Sequence, residues 1–220
     1  MIHTILFDLD DTLYPRSAGI MGEIRRLILD FVQTRLDLPA EEADALRERY
    51  LQTYGTSMRG LQVNHQIDPD EYLLHVHDIR LHEYLRPNTE LDAVLDAVPQ
   101  DMIIFTNASR EHAERVLDVL GIRRHFSRIV DIREMEYESK PQPSAYTRIC
   151  AMLRVEPETC MLVEDNVRNL RPAKEIGMST VLVGDGSQSQ SRCVDYAIER
   201  VELIGNVLVE MESHRLPDRP

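Results

Sequence analysis

Apolar and polar positions follow two textures along this chain. At the N-terminus Ile5-Leu6-Phe7 form a short apolar run that ends on Asp8, with Leu9 and Leu13 set among Asp10 and Asp11. Such a run, bounded by turn-forming acids, predicts a buried strand. From Arg16 to Leu38 the spacing changes, and Ile20, Ile24, Leu27, Ile28, Phe31 and Val32 recur at helical intervals. A second helical stretch is expected after Pro39 through Ala43, Leu46, Tyr50 and Leu51, interrupted by Gly55 and Gly60. Asp68-Pro69-Asp70-Glu71 reads as another helix start, with Asp68 as N-cap and Pro69 at the first helical position. Residues 15–86 therefore read as all-helical.

After Pro87 strands and helices alternate. Strands are expected at Met102 to Thr106, Ser127 to Asp131, Cys160 to Glu164, Thr180 to Val183 and Tyr196 to Ile198. Helices are expected at Glu90 to Val98, Glu111 to Leu120, Ser144 to Leu153, Asn169 to Ile176 and in the stretch reaching Met211. Gly121 and Gly177 stand where helix C-caps belong. This order predicts an α/β fold, a Rossmann-like parallel sheet with helices on both faces. Residues 1–14 and 87–212 would form the core, 15–86 an inserted all-helical cap, and 213–220 a polar, flexible tail.

The formal net charge of -13 argues against a nucleic-acid polymer as partner. A small phosphate ester stays compatible, because a bound cation and a few basic groups invert the local potential. No apolar run approaches the roughly 20 residues of a bilayer span. The N-terminus lacks the basic start and cleavage site of a secretory signal, so no membrane and a cytoplasmic location are expected. Cys150, Cys160 and Cys193 lack metal-ligand spacing and read as reduced, buried thiols.

Four points along the chain concentrate chemistry: Asp8 with Asp10, Thr106-Asn107, Lys140, and Glu164-Asp165. All but Lys140 directly follow an apolar strand. Ligands of open α/β sheets bind beyond the carboxyl ends of the strands, so topology would gather these residues. The run Phe7-Asp8-Leu9-Asp10-Asp11-Thr12-Leu13-Tyr14 resembles the first motif, Asp-x-Asp-x-Thr/Val, of the haloacid dehalogenase-like (HAD) hydrolase superfamily. Thr106 after Ile103-Ile104-Phe105, Lys140 before Pro141 and Pro143, and Val163-Glu164-Asp165-Asn166 resemble its second, third and fourth motifs, in order.

The resemblance implies a Mg²⁺-dependent phosphate-ester hydrolase with a C1-type cap. A phosphate ester needs a nucleophile, charge neutralisation and protonation of its leaving group. Asp8 would be the nucleophile, forming an aspartyl-phosphate. Asp10, facing the same way if the strand pleat continues, would protonate the leaving oxygen and then activate water. Mg²⁺ would lie between Asp8, Asp165 and the Asp10 carbonyl, with Glu164 binding it through a water. Lys140 would neutralise Asp8, while Thr106 and the Asn107 N–H would hold phosphate near a helix N-terminus. Within the superfamily, an acid at Asp10 fits a phosphatase or phosphomutase rather than a dehalogenase.

Several runs resemble the pyrimidine 5′-nucleotidase group, among them Asp11-Thr12-Leu13-Tyr14-Pro15, Tyr54-Gly55-Thr56, Phe105-Thr106-Asn107-Ala108 and His112-Ala113-Glu114-Arg115-Val116-Leu117. Gln142 and Asn166 depart from it, standing where Asp and Ser are common. A nucleoside monophosphate such as UMP or CMP would then be the substrate. A sugar-phosphate phosphatase, a β-phosphoglucomutase-like mutase and a non-enzymatic binding protein on the same fold stay open. Arg59 and Tyr14 are candidates for touching substrate, against surface charge and hinge packing as alternatives. His75 and His77 lack an acidic or Cys partner at metal spacing and read as a helix surface.

Overall fold

A computed structural model describes residues 1–213, so the tail expected over 213–220 lies, from residue 214 on, outside the described residues. The six expected strands form: β1 (Thr4–Phe7), β2 (Asp101–Phe105), β3 (Phe126–Val130), β4 (Cys160–Glu164), β5 (Ser179–Val183) and β6 (Tyr196–Ile198). They make one sheet in the order β3-β2-β1-β4-β5-β6, and every pairing is parallel. From β1 the chain builds outward to β2 and β3, then returns to the other side of β1 to add β4. The order reverses at β1, which places a crevice at its carboxyl end. Phe7 pairs with Ile104 on one side and Val163 on the other.

The pleat of β1 divides the interior. Ile5 and Phe7 enter one apolar cluster, while Leu6 enters a second on the opposite face. The second cluster gathers Phe105, Leu162 and Leu182 beneath α8 (Pro143–Leu153) and α9 (Val167–Glu175). The first is covered by α6 (Thr89–Asp96), α7 (Arg110–Leu120) and α10 (Ile204–Ser213). It also runs without a break, through Leu9, Leu13 and Tyr14, into the helices between β1 and β2. Those are α1 (Ile20–Leu36), α2 (Ala40–Tyr54), α3 (Ser57–His65), α4 (Pro69–Val76) and α5 (Leu81–Tyr84).

Local chemistry sets these boundaries. Asp68 caps α4 by accepting from the Asp70 N–H at 2.9 Å, with Pro69 at the first position, as expected. Gly55 ends α2 at φ 87°. Gly60 does not interrupt a helix. It lies inside α3, because a Cβ there would sit 2.2 Å from the Tyr50 ring, and only glycine lets α2 and α3 approach this closely. Helix α9 starts earlier than expected, because the Asn166 side chain accepts from the Arg168 N–H at 3.0 Å and caps it. Among the described residues no helix is long and apolar enough to cross a membrane.

Candidate active site

The four sequence points converge at the carboxyl end of β1. The Asp8 N–H donates to the Val163 carbonyl at 2.9 Å, which holds Asp8 level with Glu164 on β4. Lys140 arrives from the loop before α8, and its ammonium donates to Asp8 Oδ1 at 2.6 Å and to Glu164 Oε2 at 2.8 Å. The other Asp8 oxygen accepts from the Thr12 hydroxyl at 2.9 Å. Carboxylate oxygens of Asp8, Glu164 and Asp165 lie within 4.8 Å of one another. Arg16 reaches over this cluster to Asp165 at 2.9 Å and to Asp11 at 3.3 Å. Beside it opens a cleft of ≈ 570 Å³, walled by the 184–188 loop.

Strand pleating does not carry Asp10 to its place. The strand ends at Phe7, and the Thr12 and Leu13 N–H groups turn back to the Leu9 carbonyl. Asp11 takes φ 62°, a left-handed turn position that Asp tolerates. This turn sends the Asp10 carboxylate away from the acidic cluster, towards α7. There Oδ1 accepts from the Tyr14 hydroxyl at 2.5 Å and lies 2.8 Å from His112 Nε2. The two acids of the first motif thus stand in different surroundings.

The electrostatics follow from that division. Burial, then the charge of Glu164, pushes the Asp8 carboxyl up to about 7, against the pull of Lys140. Burial likewise raises Glu164 to about 7, again opposed by Lys140. Asp165 is raised by burial and by Asp8. Burial also works against the charge on Asp10, but His112 and Tyr14 outweigh it and hold the carboxyl below its usual range. Burial alone would lower the Lys140 ammonium; Asp8 and Glu164 reverse that and keep it charged.

Thr106 is buried at the end of β2, and its Oγ accepts from the Ala108 N–H at 3.0 Å, leaving its own proton free to donate. Asn107 has a part the sequence did not suggest. Its side chain donates to the Lys140 carbonyl and accepts from the Lys140 N–H, each at 2.9 Å, clamping the loop that presents the ammonium. Tyr14 bonds Asp10 and is buried, while Arg59 is half-buried with its guanidinium on Gln62 at 2.5 Å. The surface reading holds for His75, which meets Asp30, but not for His77. His77 is buried and stacks on His112 with ring centroids 4.4 Å apart. The three cysteines are free and buried.

Thr12, Arg16 and His112 were not singled out by sequence reasoning, and His77 was read as helix surface. Thr12 and His112 lie in runs already noted for their resemblance, and Arg16 follows the first motif. His77 carried no signal, since its neighbour in space is 35 positions along the chain.

A Rossmann-like sheet with a buried lysine set among three carboxylates at its switch point defines the class. The chain belongs to the haloacid dehalogenase-like hydrolases, whose family description matches residues 2–177. It is 29% identical over 191 residues to Phosphate metabolism protein 8 of Saccharomyces cerevisiae, covering 80% of this chain. It spans 60% of that yeast protein's length. It is 26% identical over 235 residues to glyceraldehyde 3-phosphate phosphatase of Methanopyrus kandleri, covering 96% of this chain and 99% of the relative. Among solved structures, a β-phosphoglucomutase of Clostridium difficile superposes with TM-score 0.63 at 18% identity, over 97% of this chain and 98% of that one. That likeness speaks for the fold.

Proposed function

We propose that the chain is a Mg²⁺-dependent phosphomonoester hydrolase that works through an aspartyl-phosphate on Asp8. The observation that supports this best is the division of the two acids. Asp8 faces Lys140 and the acidic cluster, while Asp10 is held apart by Tyr14 and His112. A nucleophile and an acid/base need such separate environments.

An Asp8 oxygen bonds to phosphorus, the ester P–O bond breaks, and the leaving oxygen takes a proton from the Asp10 carboxyl. The negative charge of bound phosphate favours proton uptake by Asp10 beforehand. Asp10 then removes a proton from water, whose oxygen bonds to phosphorus as the Asp8–phosphate bond breaks. Inorganic phosphate leaves, and both acids return to their starting state. The Lys140 ammonium offsets charge on Asp8 and on a phosphoryl oxygen. The Thr106 hydroxyl and the Asn107 N–H hold the other phosphoryl oxygens.

The donor set fits magnesium, which prefers hard oxygen ligands. Asp8, Asp165 and the Asp10 carbonyl would hold it. When bound, it neutralises the carboxylates and the charge of the transferring group. Both Glu164 oxygens are engaged, by Lys140 and by the Asn166 N–H at 3.2 Å. Glu164 therefore serves to hold Lys140, and we assign its part at the metal to a bridging water. Metal and protons compete for these acids. Carboxyls raised to about 7 from an unfolded value of about 4 contribute stability below pH ~4, lost as pH rises through ~7. Mg²⁺ should thus raise the thermal midpoint more at pH 8 than at pH 5. Equal shifts, or none, would contradict the metal assignment.

Residues 15–86 act in this reading as a cap over a core of 1–14 and 87–212. The fit of Gly55 against the lysine loop supports it, since a Cβ there would meet Ser139 Oγ at 2.9 Å. The substrate we propose is a pyrimidine nucleoside 5′-monophosphate, on the strength of the matching runs that flank the motifs. A three-carbon sugar phosphate is the second reading, favoured by the name of the archaeal relative. Phosphate release from UMP, CMP and glyceraldehyde 3-phosphate, with and without Mg²⁺, separates the two. Turnover of the sugar phosphate without the nucleotides would overturn the first, and a mutase product that conserves organic phosphate would overturn both.

A further inference from the structure

We infer that His112 is the positioning residue for Asp10, with the ring of His77 fixing its plane. The inference rests on the phosphatase reading above.

His112 lies in the first turn of α7, where Ser109 caps the helix and its Oγ accepts from the His112 N–H at 3.3 Å. The side chain is fully buried. A carboxylate oxygen only accepts, so the 2.8 Å contact to Asp10 Oδ1 assigns the proton to Nε2. The Tyr14 hydroxyl donates to the same oxygen. Two donors on Oδ1 leave Oδ2, which accepts no hydrogen bond from the described residues, as the oxygen open to proton transfer. The pair fixes both the place of the carboxylate and which of its oxygens works.

The surroundings argue against a merely space-filling role. His112 Nδ1 is buried without a partner among the described residues. An apolar side chain of similar volume would avoid that orphaned nitrogen and its cost. Among the described residues, the one hydrogen bond the imidazole makes is the bond to Asp10. Its plane is set by His77, stacked at 4.4 Å and 19°. The His77 ring is in turn held by the Ser109 hydroxyl at 3.1 Å, and its carbonyl accepts from Arg115 at 2.9 Å. His77 comes from the helical insertion and His112 from the core, so the stack ties the acid/base to the seating of the insertion.

The test compares 4-nitrophenyl phosphate, whose leaving group departs without an acid, with a simple alkyl phosphate. His112→Ala should lower kcat on the alkyl ester by roughly 10²-fold, with KM changed less than about threefold. On the aryl ester it should give a burst of about one nitrophenolate per enzyme, then slow turnover, with phosphate trapped on Asp8. His112→Gln, whose amide N–H still donates, should recover part of the loss. If His112→Ala fails to fold, His112→Asn, too short to reach Asp10, carries the same measurement. An unchanged kcat, or a proportional loss on both esters with no burst, overturns the inference while the phosphatase reading stands. A wild-type protein that forms no phospho-Asp8 and releases no phosphate sinks that reading, and the inference with it.

Discussion

Asp8→Asn should lower phosphate release by at least ~10³-fold and abolish any acid-stable phosphate label on the protein. An amide keeps the size of the side chain but cannot form the acyl phosphate. The fold should survive the change. In the wild type this carboxylate is buried beside Glu164, which disfavours its charge. Asparagine removes that repulsion, and Lys140 keeps Glu164 as its partner at 2.8 Å. The thermal midpoint should therefore stay level or rise, an exchange of activity for stability common at active sites. Residual activity above a few per cent would refute covalent catalysis at Asp8. A wild type that releases no phosphate from any ester would instead revive the alternative of a binding protein on this fold.

Lys140→Met should harm both activity and folding. The ammonium is 1% exposed and bonds two buried acids, so methionine leaves Asp8 and Glu164 facing each other. Breaking a buried ion pair from one side costs about 3–5 kcal/mol. That deficit should shrink at low pH, because protonation relieves the two carboxyls once the lysine is gone. Chemical denaturation at pH 5 and pH 8 reads both expectations. A variant as stable as the wild type at pH 8 would show that the lysine does not neutralise the pair. Turnover should fall by at least ~10²-fold, since the charge that offsets Asp8 and the phosphoryl group is removed.

Much of the fold was legible because its signals are local. Six short apolar runs became six strands, since a buried parallel strand needs nothing more than a continuous apolar stretch between breakers. Asp68 with Pro69 marked a helix start through a backbone N–H that only a nearby acceptor satisfies. Gly60 misled because glycine has two uses. Sequence shows its low helix propensity, whereas its fit against Tyr50 exists only once α2 and α3 are packed. Asn166 was read for its motif, and its capping of α9 was missed for the same reason.

The candidate site divides along the same line. Asp8, Glu164 and Asp165 could be named from the sequence, because strand ends in a parallel sheet must meet at one edge, and Lys140 by the prolines that follow it in the third motif. The family followed from the order of those motifs. The orientation of Asp10 could not be read in this way. It depends on a turn that leaves the strand after Phe7, and on Tyr14 and His112 supplying donors from two segments far apart in the chain. Nor could the clamp of Asn107 on Lys140, across 33 positions of chain. The chain alone determined which groups assemble, through period and spacing. The tertiary structure decided which way each one points, because hydrogen bonds between distant segments form only after the helices have packed.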